Sequence, residues 1–282
     1  MISAAKRGLY QLALNVSRRT LSLAGQEGLQ IAGEDLIRSS GLGMGRYPIG
    51  FRPDEVEILA ADAGQHFAAV RDYDEAMTAT GCQSTDNLAK RGRFFMLHQL
   101  MQIACDKFGP TGDIAECGCW RGHSTHMLAL IAERAGASDF HVFDSFEGLS
   151  DYGEKDTGGL APKSRSAAQA RQKLFAADEE AVRSNLARFP FIELYKGWIP
   201  ERFGEIEDRQ FKFVHIDVDL YQPYVDSIEF FYPRLLEGGV MAFDDCGSAG
   251  FPGARRAVEE LMAKFKPRLS LQFPLGGGAW FK

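Results

Sequence analysis

The apolar residues change their spacing near Gly112. Ahead of it, Asp54–Arg71, preceded by Pro53, and Asn87–Phe108 carry apolar positions at helical spacing, which predicts two helices. Gly41–Pro53 is rich in Gly and Pro and reads as a loop. Beyond Gly112, short apolar runs alternate with helical segments. The runs Asp113–Cys117, Phe140–Asp144, Ile192–Lys196, Phe211–Asp217 and Val240–Asp244 predict strands, the last one set up by a Gly238-Gly239 turn. Ser124–Arg134, Gln169–Leu186 and Pro252–Phe265 predict helices between and after them. Leu269–Phe273 and Ala279–Phe281 flank a Gly-rich turn and read as a terminal hairpin. Strands alternating with helices imply an α/β fold with a mostly parallel sheet covered on both faces. Right-handed crossovers then bring ligands to the carboxyl ends of the strands.

The first residues form a separate pattern. Ile2, Ala5, Leu9, Leu12 and Val16 fall on one helical stripe, with Lys6, Arg7, Arg18 and Arg19 flanking or opposing it. This fits an interfacial or transit-like helix. It fits better an arm that buries its apolar face on the protein body or on a second subunit, because amphipathic helices mostly serve packing. No apolar run is long enough to span a bilayer, so no integral membrane segment is expected.

Composition narrows the classes. The chain has 282 residues, enough for a core without disulfide or metal staples. Its net charge of −6 argues against a nucleic-acid partner, whose affinity comes mainly from neutralising phosphates. The five cysteines, Cys82, Cys105, Cys117, Cys119 and Cys246, match neither a disulfide framework nor a zinc knuckle, and a reducing cytoplasm is the simplest setting.

The strand ends carry the candidate chemistry. The first strand runs into Glu116-Cys117-Gly118-Cys119-Trp120-Arg121-Gly122, a glycine turn that lets a ligand approach the backbone. Its G-x-x-x-G spacing differs from the dinucleotide fingerprint. Glu116 offers a carboxylate to a cationic ligand group. Asp144 ends the second strand, where a ribose diol is usually gripped, and an N-cap role is equally consistent. The fourth strand ends in Asp217-Val218-Asp219 and the fifth in Asp244-Asp245. Four carboxylates on two adjacent strand tips repel one another unless a cation, a proton or basic neighbours offset them. Hard divalent cations suit such an all-oxygen set. His123 and His126, three apart on a helix, are a weaker metal pair. His215 and His98 read as core histidines, and nothing marks Cys246 as a nucleophile.

These strings together, ECGCWRGHST (116–125), FDSFEGL (143–149), KGWIPERF (196–203), FVHIDVDLYQPY (213–224), and GGVMAFDDCG (238–247) with PGARRAVEE (252–260), resemble the macrocin O-methyltransferase family, from about Arg91 to the C-terminus. The resemblance implies a Rossmann-like class I methyltransferase fold, a seven-stranded mostly parallel sheet with an antiparallel last strand. It implies S-adenosylmethionine as cofactor, held by Glu116, Gly118, Asp144, Ser145, Gly197, Trp198 and Asp217. It also implies a divalent ion, usually Mg²⁺, on Asp217, Asp244 and Asp245, with Asp219 as general base. The acceptor implied is a hydroxyl of a sugar or a glycosylated natural product. Cys246, where the family usually has Tyr, and His123, where it often has Gly, are departures. Residues 1–86 are expected as a helical extension that caps the cleft or makes a homodimer interface, and residues 87–282 as the methyltransferase domain.

Two other readings stay open. A metal-dependent catechol or phenol O-methyltransferase would also chelate a vicinal diol, and would rely less on Asp219. A nucleotide-sugar glycosyltransferase would use Asp217-Val218-Asp219 as its metal-binding D-x-D, leaving Asp144, Asp244 and Asp245 without a role.

Overall fold

The computed structural model describes residues 68–83, 90–273 and 276–282. The expected N-terminal stripe, the loop at 41–53 and most of the helix at 54–71 lie outside the described residues. All of the described residues belong to one compact unit.

In chain order the elements are α1 (Ala68–Ala79), α2 (Arg91–Phe108), β1 (Asp113–Cys117), α3 (His123–Arg134), β2 (Phe140–Asp144), α4 (Arg165–Leu174), α5 (Glu179–Leu186), β3 (Ile192–Lys196), β4 (Phe211–Ile216), α6 (Tyr221–Arg234), β5 (Leu235–Phe243), α7 (Pro252–Phe265), β6 (Leu269–Gln272) and β7 (Gly278–Phe281). The seven strands make one sheet in the order β3-β2-β1-β4-β5-β7-β6. Strands β1 to β5 pair in parallel, and β7 runs antiparallel between β5 and β6. The α/β class, the mostly parallel sheet and the terminal hairpin are as expected from the pattern. The chain winds outward from β1 through β2 and β3 on one side, then restarts at β4 on the other. That reversal opens a crevice beyond the carboxyl ends of β1 and β4.

The sheet is buried on both faces, which explains its nearly continuous apolar runs. Ile114, Phe140, Val142, Phe213 and Val240 point into a core shared with Leu97, Met101 and Met127. Ala115, Val214, Ile216, Met241 and Phe243 point the other way, toward Tyr224, Phe231, Ala257 and Leu261. Alternation along each strand divides the two sets.

Three boundaries depart from expectation. The helical stretch 169–186 is two helices. Between them Phe175 turns to pack edge-on against Phe251, and Asp178 restarts the helix by accepting from the backbone of Glu180 and Ala181. Strand β5 begins at Leu235 and carries Gly238-Gly239 within it, at a register irregularity against β4, so these glycines are not a turn before the strand. Asp217 and Asp244 fall one residue beyond their strands. Each still donates its backbone N–H to the neighbouring strand, to Cys117 and Ile216 respectively, at 2.8 and 3.0 Å.

Helix α1 packs on α2 and α3. A buried Asp72 joins the three, its Oδ2 lying 2.8 Å from His98 Nε2 while Arg134 Nη1 donates to its Oδ1 at 3.1 Å. His98 is thus a polar tie between helices, not a simple packing residue.

His126 is buried on α3 with its ring edge-on to Phe189 at 4.9 Å, and neither ring nitrogen has a hydrogen-bond partner. Burial first, then the charge of Arg188, hold its pKa below the usual value. The unfolded chain therefore takes up a proton below about pH 6.5 that the folded chain refuses, and stability falls as the pH drops through that value. Replacing His126 by Leu is expected to remove this part of the acid sensitivity. Thermal unfolding checks it: the Tm gap between His126→Leu and wild type should widen in the variant's favour from about pH 7.5 to about pH 5. A gap independent of pH would contradict the assignment.

Candidate active site

The crevice beyond β1 and β4 holds a cavity of about 310 Å³. Its walls come from the ends of four strands: Gly118, Cys119 and Trp120 after β1, Asp144 and Ser145 at β2, Gly197 and Trp198 after β3, and Asp217, Val218 and Asp219 after β4. Lys90 and Phe94, at the start of α2, and His123 on α3 complete that side.

The glycine turn is shaped by contact with β4. Gly118 has φ +84°, and a Cβ there would lie 2.0 Å from the Asp217 carbonyl oxygen. Only glycine allows the two strand ends to approach so closely. Asp144 fastens this turn to β2. Its Oδ2 accepts from the backbone N–H of Cys119 and Trp120 at 2.8 and 2.9 Å, and its Oδ1 accepts from Phe146 at 2.7 Å. Burial raises its pKa, and these three N–H groups pull against that. A carboxylate has about four acceptor positions, so roughly one is left for a hydroxyl in the cavity. The ribose-binding and turn-anchoring readings are therefore compatible. Ser145 donates to the Gly148 carbonyl at 3.0 Å and sits beside Asp144 on the wall.

Glu116 is placed otherwise than expected. Its carboxylate is fully buried and takes no part in the cavity wall. One oxygen accepts from Thr125 Oγ1 at 2.5 Å, and the other lies 2.8 Å from His215 Nδ1. The reason is strand parity: Glu116 shares a face with Ile114, so it points at α3 and not into the crevice. A direct contact with a ligand cation is thereby corrected to a buried pair with His215. Burial pulls the pKa of His215 down, but Glu116 more than offsets this and raises it. This imidazole stands behind Asp217 and Asp244, and one ligand-capable atom from each of the three lies within 4.8 Å of the others.

The four acids of β4 and β5 come together as expected. Oxygens of Asp217, Asp219 and Asp245 converge within 4.8 Å of one another. Asp219 Oδ1 and Asp245 Oδ2 are buried with no hydrogen-bond partner. Asp219 has φ +60°, a left-handed backbone that costs a non-glycine residue about 1–2 kcal/mol and tends to persist only where function retains it. The turn around it is held from below. Buried Asp156 accepts from the N–H of Tyr221, the first residue of α6, and of Gly153, at 2.8 and 2.9 Å.

Two cations that the sequence did not single out face this cluster. Lys90 Nζ lies 3.1 Å from Asp217 Oδ2 and 2.6 Å from Asp244 Oδ2. Arg93 Nη1 lies 2.9 Å from Asp244 Oδ2 and 3.0 Å from Asp245 Oδ1, and it also donates to the Asp244 carbonyl. The carboxyl groups divide accordingly. For Asp244, burial is outweighed by Lys90 and Arg93, which hold it well below the usual carboxylate range. Asp217 is pushed up to about 7, by burial first and then by Asp244. Asp219 is raised well above the ordinary value by burial, then by Asp245 and Asp217.

The remaining candidates separate. His123 stacks between Tyr73 and Phe94 with its Nε2 3.1 Å from the Tyr73 carbonyl oxygen, while His126 packs on Phe189, so the two do not form a metal pair. Cys246 donates to the Gly276 carbonyl, and its thiol is pushed up to about 12, by burial first, which suits no nucleophile.

The Gly118 contact yields a direct test. Gly118→Ala should cost about 3 kcal/mol or more, because the Cβ meets a backbone atom and the backbone is left-handed. Urea unfolding should show a lower midpoint with little change in slope. Wild-type stability would contradict the close approach.

Comparison with known proteins agrees with this geometry. The family model described as macrocin-O-methyltransferase (TylF) matches residues 69–276. A demethyldecarbamoylnovobiocin O-methyltransferase of Streptomyces niveus is 29% identical over 177 residues, 60% of this chain and 66% of that protein. An 8-demethyl-8-(2,3-dimethoxy-alpha-L-rhamnosyl)-tetracenomycin-C 4'-O-methyltransferase of Streptomyces olivaceus is 29% identical over 143 residues, 49% of this chain and 54% of that protein. The chain therefore spans just under two thirds and about half of the lengths of these relatives. Among solved structures, the O-methyltransferase NovP superposes with a TM-score of 0.55 at 26% identity, covering 68% of this chain and 80% of that one. A calicheamicin methyltransferase superposes at 0.51 with 19% identity, covering 75% and 91%, a likeness of fold alone. With the family model covering well over half of its residues, the chain belongs to the macrocin O-methyltransferase (TylF) family.

Proposed function

We propose that the protein transfers a methyl group from S-adenosylmethionine to a hydroxyl of a sugar or a glycosylated natural product, in a reaction assisted by a divalent metal. One observation supports this above the rest: Asp219, buried at the cavity wall in a left-handed turn, keeps a carboxylate oxygen without a partner beside three further acids. A carboxylate of ordinary pKa is a poor base for an alcohol. Burial and the neighbouring charges raise Asp219, which narrows the gap and favours proton uptake from a bound hydroxyl.

The residues suit both groups that the family implies. Gly118, Asp144, Ser145, Gly197 and Trp198 line the cavity and would hold S-adenosylmethionine, with Asp144 giving its remaining acceptor position to a ribose hydroxyl. Asp217 closes the same wall from the metal side. The orphaned oxygen of Asp245 within an all-carboxylate set matches a hard divalent cation such as Mg²⁺. Asp217, Asp244 and Asp245 would hold it. When bound, such an ion acidifies a chelated hydroxyl as a Lewis acid. The chain's own part is to exclude water, to hold the acceptor against the crevice and to accept the proton at Asp219.

Both Streptomyces relatives bear names of O-methyltransferases, and the name of the second carries a rhamnosyl group, which supports the acceptor class. The N-terminal residues would contribute to acceptor choice. The five cysteines form no disulfide, in keeping with the reducing cytoplasm proposed for the chain, and no helix among the described residues is long and apolar enough to cross a membrane.

Two measurements test the reading. Asp219→Asn should lower turnover by about 10²–10⁴-fold while S-adenosylhomocysteine binding stays near wild type. Full activity in that variant would overturn the base assignment. Exhaustive chelation should abolish methyl transfer from labelled cofactor to a glycoside acceptor, and Mg²⁺ should restore it. Activity indifferent to chelation would overturn the metal role.

A further inference from the structure

The acids of the site are not left to an external cation alone. Lys90 precedes the first turn of α2, yet its side chain reaches the tips of β4 and β5, where Nζ bridges Asp217 Oδ2 at 3.1 Å and Asp244 Oδ2 at 2.6 Å. The side chain is about a quarter exposed and forms part of the cavity wall. Arg93, one turn further on, does a different task. It is more deeply buried and grips Asp244 and Asp245, including the backbone of Asp244. Arg93 thus ties α2 to the end of β5, whereas Lys90 meets the tips of β4 and β5 through these two carboxylates.

The two acids that Lys90 bridges are two of the three that would hold a divalent ion. Metal–oxygen bonds of Mg²⁺ are about 2.0–2.1 Å long, so an ion shared by these oxygens would occupy the space the ammonium now fills. A divalent cation and an ammonium at that separation also repel strongly. An ion held by these same two oxygens would have to displace the ammonium.

Resting on the metal reading above, we infer that Lys90 is the chain's own counter-ion for Asp217 and Asp244, and that its ammonium leaves this bridge when a divalent ion takes those carboxylates. Lys90 is in this sense a positioning residue. It keeps the acids together in the metal-free protein, and it sets the affinity for metal by competing for the same oxygens. Metal binding would also release an ammonium into the cavity wall beside the cofactor.

The test uses the full chain and Mn²⁺ as probe, with free Mn²⁺ read by electron paramagnetic resonance. Lys90→Met keeps the length of the side chain and removes the charge. It should bind Mn²⁺ at least about tenfold more tightly than wild type, since one cation opposing the ion is gone. Equal or weaker binding in Lys90→Met overturns the inference while leaving the metal reading intact. No binding to either protein overturns both. A second measurement needs only the wild type. Saturating Mn²⁺ should increase the rate at which an amine-reactive reagent labels Lys90, followed by mass spectrometry, because the ammonium is expelled from its carboxylates. Labelling that is unchanged or slowed by Mn²⁺ also overturns the inference, even if the variant fails to fold.

Discussion

The crowding of four carboxylates at the tips of two adjacent parallel strands is the constraint around which this site is built. Strands β4 and β5 pair in register up to Ile216 and Phe243, so the acids that follow have no choice but to meet. Like charges at this distance in a buried setting cannot all stay ionised without compensation. Lys90 and Arg93 offset two of the four charges and leave a formal −2. A divalent ion that took the place of Lys90 on these acids would bring the cluster to a formal −1. The arrangement is costly in a resting protein; under the proposed function it would raise Asp219 toward the role of base and ready the other acids for metal.

The rest of the fold serves to hold this crowding in place. Gly118 lets the turn after β1 lie directly on the Asp217 carbonyl, which joins the cofactor side of the crevice to the acid side. Asp144 fixes the same turn from β2, and Asp156 fixes the start of α6 just beyond Asp219. Glu116 and His215 form a buried pair one layer behind. That pair places an imidazole near Asp217 and Asp244 without exposing it to solvent. Each support is a polar contact in a buried setting, where an unmatched group is expensive, so each keeps its partner in one position.

Much of this was legible in the chain itself. The strands are continuous apolar runs that end sharply in acids, so the ends of β1, β2, β4 and β5 could be placed to within a residue, and their acids with them. The mostly parallel sheet followed from alternation of strand and helix, whereas its strand order is seen only in the structure. What the sequence hid was contact across long separations. Lys90 and Arg93 look like ordinary basic residues of an amphipathic helix, and their partners lie 127 and 151 residues away. The place of Glu116 near a strand end suggests a ligand contact, but its parity puts it on the face of Ile114. The break at Phe175–Asp178 was hidden by a charged stretch with good helix formers on both sides. Gly238-Gly239 looked like a turn because an irregular strand and a turn share the same residues.

The most direct test of the account is a crystal structure of the protein with Mn²⁺ and S-adenosylhomocysteine, with the metal located by its anomalous signal. The account predicts one peak bounded by Asp217, Asp244 and Asp245, the cofactor ribose at Asp144, and the Asp219 carboxylate facing the open side of the cavity. A metal bound away from these acids, or a cluster that keeps Lys90 on Asp217 and Asp244 at saturating Mn²⁺, would contradict it.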